Sequence, residues 1–62
     1  MRINNERDAK KFIDDIFTRI DYYECVTAID SLPKVDDLMK RFPALESTYR
    51  GVYKVYQAEL DL

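Results

Sequence analysis

The sequence predicts an all-α fold: a compact bundle of three to four short helices forming a single helical domain over residues 1–62. Three observations carry this. Apolar residues recur at helical spacing through most of the chain. Only one glycine and two prolines occur among 62 residues, too few for the turns of a sheet. No alternating run rich in Val, Thr and Ile offers a strand. The helices are expected at about 5–20, 22–31, 34–42 and 44–60.

Met1 to Asn4 read as a frayed start, with Ile3 placed to tuck under the first helix. Asn5 or Asn4 offers a side-chain oxygen to the orphan amides of a helix opening Glu6-Arg7-Asp8, whose acids suit the positive end of the helix dipole. Ala9, Phe12, Ile13, Ile16, Phe17 and Ile20 then form a wide apolar stripe. Lys10, Lys11, Asp14, Asp15, Thr18 and Arg19 fill the rest, with Lys10/Asp14, Lys11/Asp15 and Asp15/Arg19 one turn apart.

Near Asp21 the phase of the pattern changes, which favours a break. Asp21 and Glu24 have the spacing of a capping box, and Ile20 can pack on Cys25 as a hydrophobic staple. The alternative is one continuous helix from Glu6 to Asp30, since no Gly or Pro forces a stop. Ser31, Leu32 and Pro33 end the second segment, because a residue before proline avoids helical dihedrals. In the third, Val35, Leu38, Met39 and Phe42 keep helical spacing. Its Asp36 and Asp37 lie toward the start and Lys40 and Arg41 at the end, matching the dipole at both poles.

Pro43 stops that helix. The last helix begins at Pro43 or at Ser47 as a cap, and carries Leu45, Tyr49, Val52, Tyr53, Tyr56 and Leu60 on one stripe with Glu46, Arg50, Lys54 and Gln57 opposite. Gly51 inside it costs about 1 kcal/mol relative to alanine. Close approach of another helix backbone is the first reason to expect, a kink the second. The core is expected to hold Phe12, Ile13, Ile16, Phe17, Ile20, Val26, Ile29, Leu38, Phe42, Val52 and Tyr56.

Composition bounds the function. With 47% apolar residues the chain is too hydrophobic to be disordered. A domain this small nevertheless buries only about 60% of the surface its unfolded chain exposes, so it needs help. Cys25 is the single cysteine and there is no histidine. An intrachain disulfide is thereby impossible, neither a zinc set nor a cofactor is expected, and association remains as the stabilising device. Cys25 itself reads as a small buried hydrophobe. No apolar leader occurs, nor a run near the roughly 18 apolar residues of a membrane span, so a cytoplasmic protein with no membrane partner is expected.

No catalytic constellation is present. Nucleophilic catalysis wants an oriented base, usually histidine. Asp14 with Asp15, and Asp36 with Asp37, are neighbours about 100° apart on a helix and do not converge on one atom. No glycine-rich loop cradles a phosphate. The chain is therefore read as non-enzymatic, with no small-molecule substrate.

The tyrosines point to recognition. Tyr49, Tyr53 and Tyr56 share one face and Tyr22 and Tyr23 sit side by side; such rings either half-bury with their hydroxyls at the rim or line an interface. The preferred expectation is a small acidic protein that binds another protein, or itself as a homodimer, through an apolar tyrosine-bearing face. It would act as a regulator, inhibitor or adaptor, of the short kind encoded by viruses and mobile elements. The contact would use Tyr22, Tyr23, Tyr49, Tyr53, Val55 and Tyr56, with Arg50 and Lys54 as rim charges.

The alternative is a helix-turn-helix DNA-binding regulator built from residues 35–56, with Lys40, Arg41, Ser47, Thr48, Arg50 and Lys54 at the DNA. Between Lys40 and Lys54 the bases outnumber the single acid Glu46. Against this, Met39 is bulky where the motif favours a small residue and Pro43 stands where a turn glycine is common. The net charge of −2 and pI near 4.9 also weaken attraction to phosphates, so nucleic acid is the disfavoured partner.

Overall fold

A computed structural model of the chain describes residues 3–23 and 26–60. Four helices follow one another: α1 Glu6–Tyr23, α2 Val26–Asp30, α3 Leu32–Arg41 and α4 Pro43–Leu60. Among the described residues there is no strand, so the expected all-α bundle is the fold. The radius of gyration is 10.9 Å, against about 10.6 Å for a folded chain of this length.

Asn5, not Asn4, caps α1. Its Oδ1 accepts the Asp8 amide at 2.8 Å, which satisfies one of the donors a helix start leaves open, and its carbonyl accepts the Ala9 amide at 3.1 Å, the first bond of the helix itself. Ile3 is buried as expected. Its carbonyl accepts Nη1 of Arg41 at 3.1 Å, which ties the start of the chain to the end of α3.

The far end of α1 corrects the expectation. The helix continues to Tyr23, so Asp21 lies inside it, exposed, rather than capping the next. The capping-box partner Glu24, the staple on Cys25, the buried-thiol reading of Cys25 and the side chain of Leu60 lie outside the described residues.

Single residues make the remaining breaks. The Ser31 amide donates to the Ala28 carbonyl at 3.1 Å, closing α2, while its own carbonyl accepts Lys34 and Val35 at 3.1 and 3.2 Å, opening α3. Pro33 therefore sits within the first turn of α3, where a missing amide costs nothing, and α3 begins two residues before the expected position. At Phe42 the backbone leaves the helical region (φ −123°, ψ 90°), as a residue before proline prefers to; Leu32 before Pro33 does not, and opens α3 instead of ending the second segment as expected. Pro43 is then the first residue of α4. Ser47 is an interior, exposed residue of that helix rather than its cap.

The core gathers Ala9, Ile13, Ile16, Phe17 and Ile20 of α1 with Leu32, Val35, Leu38 and Met39 of α3 and Leu45, Tyr49, Tyr53 and Tyr56 of α4. Ala28 joins from α2, and Phe12, Ile29 and Phe42 pack half-buried against the rest. Two expected core residues are outside. Val26 is 70% exposed and Val52 45%. A helix as short as α2 turns one side inward, and Ala28 occupies it. Val52 falls at the outer edge of the α4 stripe, away from the flank that packs on α3. Gly51 also departs from expectation: a Cβ there would meet nothing within 4 Å, so no neighbouring backbone of this chain requires the glycine.

Candidate interaction surface

The tyrosines expected at an interface divide into two groups. On α4, Tyr49, Tyr53 and Tyr56 are 9%, 5% and 6% exposed. The Phe17 ring lies 5.9 Å from that of Tyr49 and 5.1 Å from that of Tyr56, both tilted, an arrangement favourable to aromatic quadrupoles. These rings are part of this chain's own core, the first of the two places their spacing allows. For Tyr49 and Tyr56 the cause lies on α1, which offers Phe17 to the rings and the carboxylates of Asp14 and Asp21 to the hydroxyls.

Each hydroxyl is accommodated at the rim. Tyr49 Oη donates to Asp14 Oδ1 at 2.5 Å, and Asp14 Oδ2 accepts Lys10 Nζ at 2.8 Å. Burial and the Asp14 carboxylate together hold the Tyr49 hydroxyl above its ordinary range. Burial pushes the Asp14 carboxyl up, but the hydrogen bonds from Lys10 and Tyr49 outweigh it, and the carboxyl lies below its usual range. Burial and the neighbouring Asp21 carboxylate raise the Tyr56 hydroxyl strongly. At Tyr53 burial and the Asp36 carboxylate act in the same direction.

Arg50 is likewise engaged. Its Nη1 donates to Asp36 Oδ1 of α3 at 2.7 Å and its Nη2 lies 3.4 Å from Glu46 Oε1, while the guanidinium stands 5.4 Å from the Tyr53 ring centroid. The hydrogen bond from Arg50 holds the Asp36 carboxyl below its usual range against the effect of burial. Lys40 reaches the other oxygen of Asp36 at 3.1 Å. Asp36 was therefore the missing term in the sequence-level charge count, which began at Lys40.

The other residues proposed for DNA are scattered in role. Arg41 binds the Ile3 carbonyl and lies over the Phe42 ring. Thr48 Oγ1 donates to the Ala44 carbonyl at 3.1 Å. Ser47 and Lys54 are exposed.

Among the described residues, large apolar side chains remain in solvent at two places. One is near the end of α1 and the start of α2, where Tyr22, Tyr23 and Val26 are 80%, 74% and 70% exposed, with a shallow depression along α1 lined by Asp15, Thr18, Arg19 and Tyr23. The other is the outward side of α4, where Val52 and Val55 are 45% and 52% exposed. Val26 and Val52, assigned to the core from spacing, are thus the surface residues that sequence reasoning missed. The accessible surface is 4354 Å², against about 4200 Å² for a monomer of this mass.

Among the described residues no group of three or more His, Cys, Asp or Glu side chains converges as for a metal, and no helix is long and apolar enough to cross a membrane. Compared with protein-family models, curated proteins and solved structures, the chain finds no match.

Proposed function

We propose that the protein is a non-enzymatic interaction module that docks on another protein through the surface around Tyr22, Tyr23 and Val26, acting as a regulator or adaptor. The observation that carries this reading is the exposure of those three side chains at the junction of α1 and α2, in a chain that buries its other tyrosines. Tyrosine combines a large apolar area with a polar tip and few rotors to freeze, which suits it to recognition. Aromatic side chains left in water cost the protein solubility, and a partner that covers them recovers that free energy.

The DNA-binding alternative draws less support, because Lys40 and Arg50 share Asp36 and would have to leave it for phosphates. The test begins with affinity capture by the full chain and by a Tyr22→Ser/Tyr23→Ser variant. Any protein retained only by the parent chain is identified, purified and titrated by calorimetry. Affinity at least about tenfold weaker for the variant is expected, as for loss of interface anchors. Equal affinity for both chains, or tight salt-sensitive binding to duplex DNA with no protein partner, would overturn the reading.

A further inference from the structure

We infer that the outward face of α4 is a self-association surface, on which a second copy of the chain packs its own α4 in parallel about a two-fold axis. This extends the interaction-module reading to a second face and a named occupant. Ala44, Thr48, Gly51, Val55 and Ala58 recur at steps of four, three, four and three residues, and all are exposed. That is the 3.5-residue spacing of a two-helix seam. The face is turned away from the buried Leu45, Tyr49, Tyr53 and Tyr56, so the two domains would stand on opposite sides of the helix pair. Its one hydroxyl is already satisfied, since Thr48 donates to Ala44. The space beside Gly51, where a Cβ meets nothing of this chain, lies at the middle of the face.

The charges beside the seam select the occupant. Lys54 flanks it on one side and Glu59 on the other; both are exposed, and among the described residues neither forms an ion pair. In a parallel pair a flanking residue meets the residue five positions further along on the opposite flank of the other helix. Lys54 therefore faces Glu59 of the second copy, and by symmetry the contact occurs twice. An antiparallel pair that stacks Gly51 on Val55 would set Lys54 against Lys54, and one that stacks Thr48 on Gly51 would set it against Ser47. The sequence thus carries complementary charge for the parallel orientation and none for these antiparallel ones.

One helix face is a small interface, so the association is weak and must be read across a range of concentration. Sedimentation equilibrium of the full chain at low salt should show a molar mass rising from 7.4 kDa toward twice that value. Lys54→Glu and Glu59→Lys should each weaken association by about tenfold or more, and the double charge swap should restore it. Both positions are exposed, and circular dichroism checks that each variant folds. A strictly monomeric chain up to about 1 mM, or a double swap as weak as either single variant, would overturn the inference. So would loss of association in Tyr22→Ser/Tyr23→Ser, which would move self-contact to the other face and leave the module reading intact. Charge-swap rescue without any protein partner for the Tyr22 surface would support this inference while the docking proposal fails.

Discussion

Tyr49 and Asp14, 35 positions apart in the chain, meet at 2.5 Å between Oη and Oδ1. The bond joins α4 to α1 at the edge of the aromatic cluster, where the Phe17 ring already packs against that of Tyr49. Lys10 completes the arrangement by binding the second carboxylate oxygen. A ring that spacing alone marks as a recognition residue is thus spent on holding two helices in register.

Tyr49→Phe keeps the ring contact and removes the hydroxyl. Asp14 retains Lys10 and is about half exposed, so no stranded charge results. The expected loss is about 1 kcal/mol, at the low end for a bond to a charged group because water screens it. For a domain of this size that lowers Tm by roughly 4–8 °C. Thermal and urea unfolding of the variant measure it directly; an unchanged midpoint would mean that water replaces the bond at no cost.

The same groups set the pH range of stability. Asp14 and Asp36 have folded-state values below the ordinary carboxylate value of 3.8. The unfolded chain therefore binds their protons first as pH falls, and their contribution, complete above that value, is lost as pH drops through the folded ones. Tyr49, Tyr53 and Tyr56 have values above the ordinary 10.0. Their contribution is complete below that pH and is lost as pH rises through the folded values, since the unfolded chain ionises first. Urea midpoints measured across pH should form a plateau bounded by both losses. In Tyr49→Phe each limb should become shallower, because the variant lacks one titrating phenol and leaves Asp14 less strongly depressed. Limbs identical to the parent's would show that this pair does not couple to folding.

What spacing revealed and what it hid follow from the range of the interactions. The stripe from Ala9 to Ile20 and the ion pairs Lys10/Asp14 and Asp15/Arg19 depend on residues three or four apart, which helical geometry alone brings together. The stop at Phe42 follows from the proline beside it. Arg50 looked free because its partner Asp36 lies 14 positions upstream on a different helix. Val52 lies close to the line of Tyr49 and Tyr56, and periodicity does not say which flank of α4 the neighbouring helices will cover. Spacing leaves the α4 tyrosines between core and surface for the same reason: the carboxylates of Asp14 and Asp21 that lie at the Tyr49 and Tyr56 hydroxyls belong to a helix whose packing the local pattern does not encode.

Gly51→Ala should stabilise the folded monomer. The glycine lies in the interior of α4, and a Cβ there meets no atom of this chain, so alanine introduces no clash and restricts the unfolded chain. The gain expected is about 0.5–1 kcal/mol. Urea unfolding at high dilution, where self-association is absent, isolates this term. A loss instead of a gain would show that the helix is deformed at this position in a way only glycine tolerates.

The pairing of Arg50 with Asp36 decides how far the two functional readings compete. Asp36 accepts from both Arg50 and Lys40, whereas Arg50 has a second partner in Glu46. Removing the carboxylate therefore strips a bond from two cations, while removing the guanidinium leaves Asp36 paired with Lys40. Asp36→Asn is expected to lower the urea midpoint more than Arg50→Gln, and the double variant to lose less than the sum of the two. Raising the salt concentration should shrink the Lys40 share first, because that side chain is 67% exposed against 24% for Arg50. If the double variant instead shows simple additivity, Arg50 is not bound to Asp36 in solution. With only the long contact to Glu46 left, Arg50 could then turn to a phosphate, which would favour the helix-turn-helix reading of α3 and α4.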